Sequence, residues 1–319
     1  MAWASGSNAE LLFQKEATYA TSPTGSSIAA IQLPFNSCDL KESQPPQQSN
    51  VIGAGRTSAR PWYGNKVVSG TLTGPIDLLA FGWILRAVLG APTTTGSTSP
   101  YTHVFKPTTT LTSFLLDKGF PDGTLYYLYN GCIATGLTIN FTPSGQLQYS
   151  MTILGAKETK GTSAYQASPT SDLSKPAKIF HNSDVTLSEG GSGTINIEEF
   201  TFSFNNNSAI GYGMNGSGYG TGACLGAPHV SGRIKAFFDS DAILLKGRAH
   251  TESKLSAAMT SSTSSLTIAA NELEYSYESP AITGPGGIYT DLTYVGYTVN
   301  DAAAADCVIT LVTTQASYA

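Results

Sequence analysis

Short segments in which apolar and polar residues alternate, separated by turn residues, limit the possible folds of this chain most strongly. One pair flanks a Pro-Ser-Gly turn at 143–145: residues 138–141 alternate before it, and residues 147–153 (LQYSMTI) alternate after it. A period of two is typical of β-strands with one buried face, because successive side chains point to opposite faces. The same kind of pattern recurs at 194–204, 273–277 and 288–297. The sequence therefore predicts a mainly β fold.

One segment has helical periodicity instead. Its apolar residues recur three or four positions apart and form one stripe. They are Ile76, Leu79, Ala80, Trp83, Ile84, Ala87 and Val88. Pro75 suits a first helical turn, and Gly90 is typical of a helix stop. We therefore predict a helix at about 76–89 that packs its apolar face on a sheet of the same chain.

The low charge of the sequence limits its partners. Of its 319 residues 41% are hydrophobic, enough for a sizeable core, but only 12% are charged, and the net charge is −5. About 25% is usual for soluble domains. Lys and Arg are scattered, which argues against a protein that grips nucleic acid through its phosphates. Surfaces with few charges cost little to desolvate, which favours association between copies. An ordinary soluble β-protein with a Thr-rich surface is the alternative.

The sequence shows no targeting or membrane-spanning segment. The N-terminus has neither a basic start nor an apolar core, and the longest apolar stretch, at 76–89, contains Arg86 and is shorter than the ~20 residues of a membrane span. We expect a protein made in a cytoplasm, without a membrane anchor. No CxxC pair is present, so we predict free thiols that are buried or half-buried, although disulfides remain open. The cysteines are Cys38, Cys132, Cys224 and Cys307.

The two halves of the chain resemble each other at three places. Residues 68–73 (VSGTLT) resemble residues 230–235 (VSGRIK), which lie 162 positions later, and an aspartate follows each segment, at Asp77 and Asp239. The second and third pairs keep the same order along the chain. They are 145–155 with 286–296, and 125–129 (LYYLY) with 273–277 (LEYSY).

These similarities predict an internal duplication. We expect two related β-domains, at 1–160 and 177–319, joined by a polar linker at 161–176. A duplicated chain could build a ring of three subunits with pseudo-sixfold symmetry. If the similarities are chance, a ring of six chains is the alternative.

No group of residues indicates catalysis. Neither an HExxH motif nor a G-x-S-x-G turn occurs, and the four histidines are dispersed. Glu198 and Glu199 are adjacent on a predicted strand, so their side chains should point to opposite faces and could not act together. We therefore predict no catalytic, cofactor-binding or metal-binding residues, and no enzyme activity. The histidines are His103, His181, His229 and His250.

Several short motifs follow one another along most of the chain. They are EATYATSP at 16–23, VSG at 68–70 followed by Asp77 and the helical segment to Gly90, HVF at 103–105, TSF at 112–114, YNGC at 129–132 and ITGPGG at 282–287. In this order and spacing they resemble the major tail tube proteins of long-tailed, non-contractile bacteriophages (siphophages). The first motif departs from the family pattern, because Ala20 replaces the usual glycine.

The resemblance implies a structural virion protein with a β-sandwich or barrel fold and a flanking helix. Its subunits would join their sheets side by side into rings, and stacked rings would form a hollow tube through which DNA is delivered without specific binding. The implied partners are further copies of the chain and the tail terminator, tape measure and distal tail proteins. The implied location is the phage tail, after synthesis in the bacterial host cytoplasm. Loops at 36–64, 91–100 and 205–227 would order only when rings stack.

Two other readings remain. The chain could be another virion β-protein, such as a head decoration protein, an adhesin or a baseplate component. It could also be a carbohydrate-binding module, for which Trp62 is the one plausible exposed sugar platform.

Overall fold

The computed structural model describes residues 3–49, 52, 56–57, 60–171, 179–190, 193–194, 197–238, 241–282, 284–299 and 305–318. These residues form a mainly β structure, which confirms the predicted fold class. The strands as far as residue 171 are β1 (Glu10–Lys15), β2 (Ile31–Gln32), β3 (Ser37–Cys38), β4 (Lys41–Ser43), β5 (Pro46–Gln47), β6 (Trp62–Tyr63), β7 (Val67–Pro75), β8 (Thr93–Thr95), β9 (Tyr101–Phe105), β10 (Phe114–Phe120), β11 (Leu125–Phe141), β12 (Gln148–Gly155), β13 (Lys157–Gly161) and β14 (Thr170–Ser171).

The later strands and the helices complete the set. The strands are β15 (Val185–Glu189), β16 (Gly193–Thr194), β17 (Ile197–Asn205), β18 (Ala209–Tyr212), β19 (Gly220–Cys224), β20 (His229–Phe237), β21 (Ser253–Ser261), β22 (Ser264–Tyr275), β23 (Tyr289–Gly296) and β24 (Val308–Thr313). The α-helices are α1 (Phe81–Leu89) and α2 (Ala242–Ala249), and short 3-10 helices lie at Gly6–Asn8, Gly25–Ser27, Pro121–Gly123 and Asn182–Asp184.

Helix α1 begins later than the sequence predicted. Pro75 is the last residue of β7 rather than the first of the helix. The Asp77 side chain accepts hydrogen bonds from the backbone N–H groups of Leu79 (2.8 Å) and Ala80 (2.7 Å), and these bonds hold a turn directly before the helix. Ile76, Leu79 and Ala80 of the predicted apolar stripe are therefore buried between β7 and α1, before the helix begins.

Eight strand positions form one antiparallel sheet, which we call the main sheet. Their order across the sheet is β3 and β4 in line, β7, β12, β11, β17, β20, β23 and β22. The long strands β11 and β22 leave the main sheet at their N-terminal ends. There β11 pairs with β10 and β13, and β22 pairs with β21 and β24. We call these four strands, with the N-terminal ends of β11 and β22, the second layer. Apolar residues between the layers and α1 form one core.

The strand pairing repeats in the two halves of the main sheet. In the first unit (β1, β3, β4, β7, α1 and β10–β12), β7 pairs with β12 and β12 with β11. In the second unit (β15, β17, β20, α2 and β21–β23), β20 pairs with β23 and β23 with β22. The register repeats as well: Val68 lies opposite Gly155, and Val230 lies opposite Gly296. The first two sequence similarities therefore mark equivalent positions in the fold.

An irregularity of the sheet is repeated too. The β10–β11 pairing shifts register between Phe114 and Leu116, and the β21–β22 pairing shifts between Ser253 and Leu255. In both cases the shift follows the first residue of the strand, β10 or β21, that pairs with the N-terminal end of β11 or β22. A bulge that occurs at the same place in both halves of the chain is a specific feature of the fold rather than a chance irregularity.

The same steric constraint requires glycine in both VSG motifs. A Cβ atom on Gly70 would lie 2.4 Å from the Leu40 backbone, and one on Gly232 would lie 2.0 Å from the Thr201 carbonyl oxygen. Such distances are too short for any side chain, so both glycines let the neighbouring strand approach closely. Duplicated close approach explains why the motif occurs twice.

The third similarity does not mark equivalent positions. Residues 125–129 open β11 and pair with β10, whereas Leu273–Tyr275 close β22 and pair with β23. The two segments therefore hold different places in the fold, and that prediction is wrong. Asp239, the proposed equivalent of Asp77, lies outside the described residues.

The C-terminal segment joins the two units. Strand β24 pairs with β22 of the second unit on one side and with β9, in the first half of the chain, on the other. The Tyr318 side chain is buried against α1, and its hydroxyl donates to the Leu79 carbonyl oxygen (2.8 Å). Part of the predicted linker also packs on the first half, since Thr170–Ser171 pair with β2.

Two expectations about loops and cysteines need correction. Residues 205–227 contain the hairpin β18–β19 within a single chain, so this segment does not wait for stacking to order. Part of 36–64 forms β3–β6, and 91–100 contains β8. All four cysteines are free, but Cys224 is exposed rather than buried or half-buried.

Candidate functional site

The main sheet has one face toward the core and one face that is open. Core-facing residues such as Leu72, Met151, Ile139, Phe202 and Leu292 are at most 1% exposed. The alternate residues of the same strands form what we call the open face. In the first unit and at the junction it is lined mostly by hydroxyl and amide side chains: Ser69, Thr71, Thr73, Thr138, Asn140, Gln148, Ser150, Thr152, Thr201 and Ser203.

Hydrogen bonds connect the hydroxyl groups of the open face across neighbouring strands. Thr201 Oγ1 donates to Asn140 Oδ1 (3.0 Å). The oxygens of Thr138 and Ser203 lie 3.4 Å apart. Both contacts join β11 to β17, so the junction between the two units is bonded through side chains as well as through the backbone.

The charges in the second unit's part of the open face are paired. Arg233 forms an ion pair with Asp291 and lies 3.9 Å from Glu199. Lys235 Nζ lies 2.7 Å from a Glu198 oxygen and 3.8 Å from a Glu199 oxygen. The hydrogen bond from Arg233 lowers the pKa of the Asp291 carboxyl below its ordinary value. This part of the open face therefore offers phosphates cations that already have carboxylate partners.

The prediction that the Glu198 and Glu199 side chains point to opposite faces is wrong. Both approach Lys235 because the β17–β20 pairing shifts register between Ile197 and Glu199, and the bulge turns both carboxylates to one side. Their contacts with Lys235 are ion pairs of the surface.

The main sheet ends in two edges at which, among the described residues, no further strand continues the sheet. At one end, β3 and β4 pair with β7 on their inner side. At the other end, β22 stops at Tyr275, and the exposed residues Tyr277–Ser279 continue beyond it. In the middle of the main sheet the two units meet at one strand pair. There β11, the edge strand of the first unit, pairs with β17, the edge strand of the second unit.

Three of the sequence motifs meet at a buried carboxylate. Glu16 is 2% exposed and lies in the EATYATSP segment. It accepts hydrogen bonds from Asn130 Nδ2 (3.0 Å) and the Gly131 N–H (3.1 Å) of the YNGC segment. It also accepts from the Ala20 N–H (3.0 Å) and from Ser113 Oγ (2.6 Å) of the TSF segment. The motifs are thus explained by one contact network.

Ala20 shows why glycine is usual at its position. Its φ angle is 54°, in the left-handed region that glycine adopts without steric cost. The turn is retained because its N–H is held by Glu16.

His103, one of the four histidines considered from sequence, is held in the fold by two contacts of its ring. His103 is buried on β9, where its ring nitrogens contact Thr94 Oγ1 and the Gln315 carbonyl oxygen (both 2.8 Å). In the part of the chain that the structure describes, no three His, Cys, Asp or Glu residues are grouped so that they could hold a metal ion. Trp62 is 53% exposed on β6, beside Tyr63.

A family comparison decides the identity of this fold. The model of the family described as phage tail tube protein matches residues 6–296, almost the whole chain. The chain belongs to the phage tail tube protein family. No curated protein matches it. This tail tube protein is therefore a structural component of the phage tail, and the prediction of a phage tail tube protein is confirmed. Among the described residues, neither helix has the length and apolar character needed to cross a membrane.

Proposed function

We propose that three copies of this tail tube protein close a ring in which their main sheets form one continuous barrel, and that stacked rings form the tube through which DNA passes. One observation supports this most directly. Within a single chain, β11 at the edge of the first unit already pairs with β17 at the edge of the second unit. The same two kinds of edge remain at the ends of the main sheet, so the pairing can repeat from chain to chain.

The repeated pairing is head-to-tail, and such an interface makes a ring when its rotation closes. Closure also pairs the exposed edges that endanger a free β-protein. Two related units per chain then give pseudo-sixfold order from three chains. We assign these units to 1–160 and 177–319, and β24, near the C-terminus, pairs with strands of both halves.

The dimensions suit a DNA conduit. Three chains contribute 24 strand positions, eight from each. With strands ~4.8 Å apart and tilted by ~40° to the axis, the barrel circumference is about 150 Å and its diameter between backbones about 48 Å. A ring of six such chains would be about twice as wide. The smaller ring leaves room for a DNA double helix after the lining side chains are counted.

The open face would line this lumen, because the core face is covered by α1 and the second layer. Its neutral hydroxyls and paired charges offer phosphates little to bind, which lets DNA slide rather than stick. The protein acts in this way without catalysis. In the virion its partners are other copies of itself and the terminator, tape measure and distal proteins at the tube ends, after synthesis in the host cytoplasm.

The mass of the assembled unit tests this proposal. One chain has a mass of 33.4 kDa, so native mass spectrometry of freshly purified protein should show a species of about 100 kDa, alone or as a series of its multiples in tubes. A sample that stays monomeric at all concentrations, or forms only dimers, would refute the ring. A species of about 200 kDa with no smaller ring would support six chains instead.

A further inference from the structure

We propose that the ring is closed by a specific seam, in which residues 277–281 of one chain pair with residues 38–42 of the next and Glu278 meets Lys41. This seam rests on the ring proposed above. It is argued from the junction that the chain forms with itself, which serves as the template for the junction between two chains.

The first half of the template is the equivalence of β17 with β3 and β4. Strand β17 lies beside β20 as β3 and β4 lie beside β7, with Ser203 opposite Ser231 and Lys41 opposite Ser69. Ser231 and Ser69 are the serines of the two VSG motifs. Lys41 therefore occupies in the first unit the place that Ser203 occupies in the second.

The second half of the template is the equivalence of β11 with the extension of β22. Gly136 lies opposite Thr152 on β12. In the second unit Thr293 holds the place of Thr152, and the Ser276 N–H donates to the Thr293 carbonyl oxygen (2.9 Å). Ser276 thus takes the place of Gly136. Two residues further along, Glu278 takes the place of Thr138.

Within the chain, Thr138 lies directly opposite Ser203 across the junction. Substituting the equivalent residues puts Glu278 of one chain opposite Lys41 of the next. The hydroxyl oxygens of the template pair are 3.4 Å apart, so the seam replaces a neutral contact by a pair of opposite charges. Opposite charges directly across two strands favour pairing, and like charges oppose it.

The directions of the side chains agree with this register. Leu273 and Tyr275 face the core and Glu274 is exposed, so continued alternation places Glu278 on the side of Glu274, toward the open face. Tyr277, beyond the end of β22, falls on the opposite side and is 50% exposed in the single chain. Lys41 is exposed, and its neighbour Leu40 is buried. The two charges therefore meet on the same face of the joined sheet.

The backbone of the receiving edge is also suitably placed. The Asp39 N–H donates to the Thr71 carbonyl oxygen (3.1 Å), so the groups of Leu40 point away from β7. In the single chain, side chains cover this edge: Lys118 Nζ donates to the Leu40 carbonyl oxygen (2.5 Å), and the Glu42 N–H donates to Glu158 Oε2 (3.3 Å). Before assembly these side-chain bonds protect the edge from unwanted pairing. When the strand of the next chain pairs with this edge, backbone hydrogen bonds replace them.

Proline at 280 fits the proposed register. In the template, Asn140 holds this place, and successive residues of a strand direct their N–H groups to opposite neighbours. The residues that would face the next chain are then Tyr277, Ser279 and Ala281. Pro280, which has no N–H, would face β23 of its own chain, where it removes no bond from the seam.

Charge reversal provides the first test. Lys41→Glu and Glu278→Lys, each alone, should raise the protein concentration needed for ring formation about tenfold, measured by sedimentation velocity at low salt. The double variant should return to near the wild-type value. Glu274→Lys, an exposed charge change on the same strand but outside the seam, is the matched control. Single variants that assemble like wild type, or a double variant that is as impaired as the sum of the singles, would overturn the seam.

Cysteine cross-linking tests the register itself. In a background with Cys224→Ser, the pair Lys41→Cys and Glu278→Cys should form disulfides between chains under mild oxidation, giving linked dimers and trimers on a denaturing gel. The pair Lys41→Cys and Ser276→Cys shifts the second thiol ~6.7 Å along the same face and should link poorly. Equal or better linking by the shifted pair would refute the register.

The outcomes separate this inference from the ring itself. If the wild-type protein forms no ring, both proposals fail. If rings form but charge rescue and selective cross-linking are both absent, the seam is wrong and the ring stands.

Discussion

Replacing Glu16 with glutamine tests whether the buried carboxylate holds the motifs of the fold together. The carboxylate is 2% exposed and accepts five hydrogen bonds from four groups: the N–H groups of Ala20 and Gly131, Ser113 Oγ and Asn130 Nδ2. Glutamine has nearly the same shape, so the change removes acceptor capacity without opening a cavity.

The magnitude follows from the donors. One carboxylate oxygen accepts from Asn130 (3.0 Å) and Gly131 (3.1 Å), and the other accepts from Ala20 (3.0 Å) and Ser113 (2.6 Å). In either orientation the new NH₂ group faces two donors and loses two bonds. Bonds to a charged group contribute about 1.5–3 kcal/mol each, but a Ser113 hydroxyl can turn to accept instead. We expect a net loss of about 3 kcal/mol in the free energy of unfolding.

Urea denaturation of the unassembled protein at neutral pH measures this loss. The midpoint should fall with an unchanged slope, and the melting temperature should drop by roughly 5–10 °C. Glu274→Gln is the control, since the Glu274 side chain is 46% exposed and its replacement should change stability by less than about 0.5 kcal/mol. A Glu16→Gln variant within 0.5 kcal/mol of wild type would show that the network does not hold the motifs.

Three further predictions concern the same folded chain. Ala20→Gly should stabilise it by about 0.5–1 kcal/mol, because relief of the left-handed strain (about 1–2 kcal/mol) exceeds the entropic cost of glycine; a loss of stability in urea denaturation would contradict the assigned φ angle. Tyr318→Ala should cost about 3–5 kcal/mol, since the buried ring packs on Trp83 and His103, whereas Tyr318→Phe should cost only about 1 kcal/mol; equal costs in the same assay would show that the ring is not packed as described. Burial raises the pKa of the Cys132 and Cys307 thiols, so at pH 8 little of either is the reactive thiolate, and a thiol reagent should modify Cys224 first and these two only on unfolding; rates for the two should rise as the pH rises, and three or four rapidly reacting thiols would refute this.

The sequence pattern predicted those parts of the fold that depend on neighbours along the chain. The hairpin around residues 143–145 follows from its period of two and its turn, and β11 and β12 are paired as expected. The VSG similarity predicted a real equivalence because both glycines meet the same steric constraint from a neighbouring strand.

Features that depend on distant contacts escaped the sequence analysis. Glu16 gave no sign of being a buried acceptor, because three of its four donor groups lie 97–115 residues away. The bulge that brings Glu198 and Glu199 to Lys235 depends on the pairing with β20, which period-two alternation cannot reveal. Strands β3 and β4 were missed because two or three residues are too short to show a period, although they form one edge of the main sheet.

End-on images of the assembled protein by electron cryomicroscopy test the central proposal most directly. We expect a ring with threefold symmetry and pseudo-sixfold modulation, whose inner wall is one continuous barrel of 24 strand positions with a diameter between backbones of about 48 Å. The open face, with Thr138 and Ser203, should line the hole. A ring of six chains about twice as wide, a wall in which neighbouring main sheets do not pair, or a lumen lined by the second layer would contradict it.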